Sequence, residues 1–134
     1  MPEQYEDMIN VGGPEYDAKD DYIKSLANIF YKINSAADCG NKDTLQWQLD
    51  YYVDILINRM IDPKDREDMR QAKTALVDIE IQKQMKMNKI TKKESLAVTD
   101  RHDAIIETNK KIFGELITYF DRYYGFETQL AVMM

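Results

Sequence analysis

Three groups of residues in this 134-residue chain have the types that could do chemistry. Cys39 and His102 are its only cysteine and its only histidine. A thiol beside an imidazole would be an activated nucleophile, but the two fall on separate predicted helices with no motif around either. His102 also lies on an apolar stripe, where a histidine is ordinarily an interior or edge residue rather than a catalyst. Asp100, Asp103 and Glu107 share one helical face and are oxygen ligands of the kind a divalent ion takes. The Glu-x-x-His pairs of helical di-metal centres do not occur, so a solvated acidic face is the plainer expectation. Lys83, Lys86, Lys89, Lys92 and Lys93 place five ammonium groups within eleven residues before Glu94 opposes them. Such a cluster has the charge to contact nucleic-acid phosphates or an acidic partner. It has no interleaved aromatic residue for stacking and no arginine for a bidentate contact with guanine, so sequence-specific readout is unsupported. The alternative is a solvated turn.

No Gly-rich phosphate loop, dinucleotide fingerprint or zinc spacing occurs. No catalytic, cofactor-binding or metal-binding residue is assigned, and the expectation is a non-enzyme without a cofactor. A lone cysteine forms no internal disulfide, which suits a cytoplasmic, intracellular compartment. Residues 1 to 18 carry acids where a secretory signal would be basic and then apolar, and no run approaches the roughly 18 apolar residues of a membrane span. A water-soluble, single-domain protein is expected from the length, the 44% hydrophobic content and the mean hydropathy of −0.57.

The net charge of −6 is concentrated at one end. Residues 1 to 21 hold seven acids against Lys19, and residues 22 to 134 hold 17 acids and 17 bases. The body is therefore neutral, and the acidity belongs to a leader, residues 1 to 19, with Gly12-Gly13-Pro14 at its centre and no helical period.

The remaining pattern predicts an all-α protein, an antiparallel bundle of about four helices over residues 20 to 125. Ile23, Leu26, Phe30, Ile33 and Ala37 recur three and four apart and define a first helix over 20 to 37, with Asp17 or Asp20 as its cap and Gly40 beyond its end. A second helix over 43 to 61 opens with an Asp43/Gln46 capping box and buries Leu45, Leu49, Tyr52, Val53, Leu56, Ile57 and Met60. Asp62-Pro63 opens a third, running to about Lys89 on a seam of Met69, Ala72, Leu76 and Ile79 that thins thereafter. Asp62/Arg66, Glu67/Arg70 and Glu80/Lys83 are expected as surface ion pairs. Thr91/Glu94 forms a second capping box, from which a fourth helix continues to Tyr124, with a restart at Thr99 or Asp100 as the alternative.

That fourth helix carries Val98, His102, Ile105, Asn109, Ile112, Leu116, Tyr119 and Tyr123 in heptad spacing. Asn109 could fix the register of the seam or lie at its edge. Gly114 is expected at a close helix approach, since glycine there costs about 1 kcal/mol against alanine. At about 1.5 Å per residue the third and fourth helices, near 40 and 50 Å, outreach the first two at about 27 Å. The end spanning 83 to 100 should then project as a thin polar tip. Residues 126 to 134 form an apolar tail with Leu130, Val132 and Met133.

The function expected is protein–protein interaction or assembly, including self-association, with Asn109, Leu130, Val132 and Met133 as oligomer contacts. The alternative is a nucleic-acid-associated protein using the lysine tip, and the third is a helical enzyme or metal protein. A further expectation sets the acidic leader of one copy on the basic tip of another. The abundance of isoleucine, lysine, tyrosine and asparagine suits an AT-rich coding sequence such as those of viruses, phages and plasmids.

Overall fold

The structure is a computed structural model that describes residues 18–124. The leader's Gly12-Gly13-Pro14 and the tail residues Leu130, Val132 and Met133 lie outside the described residues. Four helices follow one another: α1 (Ala18–Ala36), α2 (Lys42–Asn58), α3 (Pro63–Met87) and α4 (Val98–Tyr124), with a short 3-10 turn (Lys93–Ser95) before α4. The described residues contain no strand, and the α2–α4 and α3–α4 pairs pack closely, so the fold is an all-α bundle. No helix among them is long and apolar enough to cross a membrane.

Local chemistry sets most of the boundaries, and not always at the residue the pattern favours. The cap of α2 is Asn41 rather than Asp43: its side chain accepts from the Thr44 amide at 3.1 Å, and Asp43 and Gln46 merely bond each other at 3.4 Å. Asp20 lies inside α1, which begins at Ala18, and so does not cap it. Asp62 caps α3 by accepting from Lys64 at 2.8 Å, with Pro63 in the first turn. Thr91 and Glu94 do not open the long helix, because only the 3-10 turn follows them and α4 starts at Val98. That start lies next to the alternative Thr99/Asp100 restart.

Contacts between helix ends fix the topology. Lys42 meets Asp103, Asp50 meets Asn109 and Ile61 meets Tyr119, so α2 and α4 run in the same direction. α1 and α3 run opposite to both. The Tyr22 hydroxyl donates to the Arg59 carbonyl, which places the start of α1 beside the end of α2. The α2–α3 turn is held further by the Tyr119 hydroxyl, which accepts from the Ile61 amide at 3.1 Å, and by Arg66, which donates to the Met60 carbonyl at 2.7 Å. Arg66 thereby serves the turn instead of the expected pair with Asp62, while Glu67–Arg70 and Glu80–Lys83 do form, at 3.8 and 3.1 Å.

The main core gathers Leu26, Phe30 and Ile33 of α1, Leu49, Val53, Leu56 and Ile57 of α2, and Ile112, Leu116 and Phe120 of α4. Phe30 packs edge-on against Phe113 with centroids 5.3 Å apart and lies 6.4 Å from Phe120. From α3 only Met69 and Leu76 touch this cluster. Ala72 and Ile79, expected in the α3 seam, are exposed. The buried face of α3 instead turns through Lys73, Leu76, Val77, Glu80, Ile81 and Met85, and burial deepens beyond Ile79 rather than thinning.

The distal end is also not a thin polar tip. Ile81, Met85, Leu96 and Ala104 form a second buried cluster, with Val77 and Ile90 packed on it. Gly114 has nothing within 4 Å of the position a Cβ would take, so no close approach explains it. Asn109 is fully buried at 0% exposure among the chain's own residues, so its side chain is a seam member and not a surface for another copy. Val98, at the other end of the expected seam, is exposed.

The two clusters predict different responses to truncation. Phe120→Ala should lower global stability by about 3 to 5 kcal/mol in a denaturant melt followed by helical signal. Leu96→Ala should cost about 2 kcal/mol at most and should speed amide hydrogen exchange in residues 81 to 96 while leaving residues 49 to 57 slow. Equal acceleration at both places would show one undivided core.

Candidate interaction surfaces

The residues singled out for chemistry are dispersed by the fold. Cys39 is a free cysteine in the α1–α2 connection, bonding the Asn41 carbonyl at 3.7 Å, and His102 is on α4 with Nε2 3.5 Å from Asp43. Among the described residues the thiol meets only the Asn41 carbonyl, and His102 faces Asp43 instead. Of the acidic face on α4, Asp103 is drawn to Lys42 at 3.0 Å and Glu107 to Lys110 at 3.9 Å. Among the described residues no group of three His, Cys, Asp or Glu side chains converges to hold a metal ion.

Two polar clusters brace the helices at the edges of their interfaces, each centred on one largely covered side chain. Lys73 of α3, whose side chain is only 12% exposed, reaches Asp50 at 2.6 Å and Asp54 at 2.7 Å across the α2–α3 interface. Asp50 also accepts from Asn109 Nδ2 at 3.3 Å, and the same amide bonds the Ile105 carbonyl at 2.9 Å. Three helices are thereby held in one register by a single connected set. The second cluster centres on Glu80, whose buried carboxylate takes Lys111 at 3.0 Å and Lys83 at 3.1 Å. Burial alone would push the Glu80 carboxyl up, but the two ammonium groups outweigh it and hold it below its ordinary value of 4.5. The Glu80 carboxylate correspondingly raises Lys111.

The lysine tip is built on that second cluster. At the end of α3 the chain makes a Schellman turn: the Ile90 amide bonds the Met85 carbonyl at 2.8 Å and the Lys89 amide bonds Lys86 at 3.3 Å. Ile90 then packs back on the Ile81 and Met85 cluster. Lys89 occupies the left-handed position, with φ of 56°, where glycine is ordinarily found and a side chain costs about 1 kcal/mol. Arg101 of α4 donates to the Leu96 carbonyl at 3.4 Å and to the Lys93 carbonyl, pinning the rest of the connection. All five lysines are exposed. Lys83 pairs with Glu80 and Lys93 with Asp78 at 3.7 Å, whereas Lys86, Lys89 and Lys92 have no ion partner among the described residues. Beside them on the outer face of α3, Ile79 lies in a shallow depression rimmed by Asp78, Gln82, Lys83 and Lys86.

A second surface, which sequence reasoning missed, runs along the outside of α2. Trp47 and Tyr51, one turn apart, are each 52% exposed, and Asp54 and Asn58, which hold Lys73 and Arg70 of α3, continue their line at its edge. The other sides of α2 are committed to α1, α3 and α4. The signal was present in the sequence as an excess: α2 carries more apolar and aromatic positions than one buried stripe can take.

The Glu80 cluster makes a prediction with a definite sign. Because its folded-state pKa lies below its unfolded one, the stability it contributes is complete above about pH 4.5 and is lost as pH falls through the folded value. Glu80→Gln should therefore be less stable than the parent by about 1 to 2 kcal/mol at pH 7, with the gap closing as pH falls through the folded carboxyl's lowered value. A gap that stays constant in urea melts from pH 7 to pH 3 would contradict the assignment. Comparison with protein-family models, with curated proteins and with solved structures finds no match to this chain.

Proposed function

We propose that this chain works without catalysis, as an interaction or assembly protein that binds protein chains, its own copies among them, through the outer face of α2. The observation that carries the reading is the half-exposed Trp47–Tyr51 pair. Tryptophan and tyrosine supply large contact area at little entropic cost and are the residues most enriched at the energetic centres of interfaces. Two of them in line on a rigid helix, with polar Asp54 and Asn58 beside them, have the make-up of an apolar centre and polar rim. Dispersal of Cys39, His102 and the α4 carboxylates adds support, since nothing in their arrangement assembles a nucleophile with its base.

The test is direct because Trp47 is the only tryptophan. Its emission should move to shorter wavelength as concentration rises from about 1 to 100 μM, in step with the mass measured by light scattering. At 300 mM salt, where contacts between charged surfaces are screened, Trp47→Ser/Tyr51→Ser should remove the growth in mass and retain the helical spectrum, since both side chains lie outside the core. Mass and emission that do not change with concentration would defeat self-association through this face.

A further inference from the structure

We propose that the lysine tip is the docking site for the acidic leader of a second copy, so that copies join head to tail; this rests on the assembly reading above and names its second contact. The charge match is the first support. Residues 1 to 17 carry Glu3, Glu6, Asp7, Glu15 and Asp17 and no base, while the tip carries five lysines against Glu94. The leader and the tip carry opposite net charges, and opposite charges steer two parts together.

The tip's construction is the second support. A lysine held in the left-handed region at Lys89, where glycine is the less strained residue, keeps a positive charge at the apex of the turn at an energetic cost. A second hydrophobic cluster and the Arg101 bonds hold that apex in place. The ammonium groups of Lys86, Lys89 and Lys92 are exposed and have no ion partner among the described residues. A preorganised cationic surface loses little entropy on meeting an anion.

The leader also has the mixed character of the surface beside the tip. Tyr5, Met8 and Ile9 interleave with Glu6 and Asp7, and on α3 the exposed Ile79 and Met87 interleave with Lys83 and Lys86. Nucleic acid would find the same lysines but no aromatic residue on which to stack a base. The lysine tip thus favours an acidic peptide over a polynucleotide.

Chain entropy favours a second copy over the chain's own leader. α1 begins at the end of the bundle where Tyr22 meets Arg59, and the tip is at the opposite end, where Met85 and Leu96 pack. Lys83 to Lys89 stand about 30 to 40 Å along α3 from that starting end. Asp7 and Glu3 lie eleven and fifteen residues before Ala18, so drawn straight they reach about 40 and about 50 Å from it, and meeting the chain's own tip would cost the leader most of its conformational freedom. A neighbouring molecule faces no such limit. A contact between two different patches is heterologous and builds a ring or an open filament instead of a closed pair.

The probe is a fluorescein-labelled peptide with the sequence of residues 1–17, titrated with full-length chains and read by anisotropy. It should bind a Glu3→Lys/Glu6→Lys/Asp7→Lys chain at 50 mM salt and bind about tenfold or more weakly at 300 mM. Lys86→Glu/Lys89→Glu/Lys92→Glu should abolish binding. Lys89→Gly should weaken binding severalfold while the melting temperature holds or rises, which separates loss of charge from loss of fold. Trp47→Ser/Tyr51→Ser should bind as the parent does.

Undiminished binding to the tip-reversed chain, or loss of binding in the α2 variant, would overturn the assignment. So would failure of the peptide to bind at all, including the case in which duplex RNA or DNA binds in its place. At chain concentrations where light scattering finds only monomer, a parent chain that binds the peptide far more weakly than the leader-reversed chain would show the leader on its own tip and would overturn the second copy. Peptide binding in a parent chain whose mass never grows would defeat the assembly reading and the second copy together, leaving only the tip's recognition of an acidic peptide. Growth in mass without peptide binding would do the reverse.

Discussion

The structure depends on a mismatch of lengths. α4 has 27 residues and α3 has 25, against 17 in α2 and 19 in α1. Two short helices cover the α3–α4 hairpin over part of its length, and the overhang must bury its own apolar side chains or expose them. It does so by folding the connection back: Ile90 and Leu96 come from between the helices to close over Ile81, Met85 and Ala104. The lysines are consequently carried on a braced platform. Their exposure follows from the same closure, because the connection's apolar residues take the inside and leave the charged ones the outside.

Polar groups then do inside the bundle what apolar packing cannot. Leucine and isoleucine contacts are non-directional and tolerate a slide of one helix along another, whereas the bonds from Asn109 to Asp50 and from Lys73 to Asp50 and Asp54 exist at one register only. Glu80 plays the matching part nearer the tip, tying α3 to α4 through Lys111. The parallel α2–α4 pair at the centre of the fold is thus fixed by directional bonds along its length, from Lys42–Asp103 through Asn109 to Tyr119.

The helices were legible because their apolar residues recur every three or four positions, and the Asp62-Pro63 boundary was legible because proline suits the first turn of a helix and no later one. The α2 cap was misplaced because Asn41 and Asp43 are equally good oxygen acceptors two residues apart, and nothing local ranks them. The α3 seam was misread for a different reason. Lys73 and Glu80 face inward, where a hydrophobicity pattern marks them as outward, and only their partners on α2 and α4 make that burial tolerable. Trp47 and Tyr51 stood outside the apolar face drawn for α2, and their exposure is fixed only once α1, α3 and α4 take the helix's other sides. The lysine tip was legible as a charge run, but its rigidity came from Ile90 and Leu96, whose roles depend on contacts across the hairpin.

The topology also sets how much chain entropy each contact costs. α1 with α2, and α3 with α4, are neighbours joined by connections of a few to ten residues, and closing such loops costs little chain entropy. The α2–α4 contact is different: Lys42 and Asp103 are 61 residues apart, so that pairing closes a long loop. Closing that loop costs more chain entropy than closing either hairpin, and the Asn109–Asp50 bond across 59 residues shares the same cost.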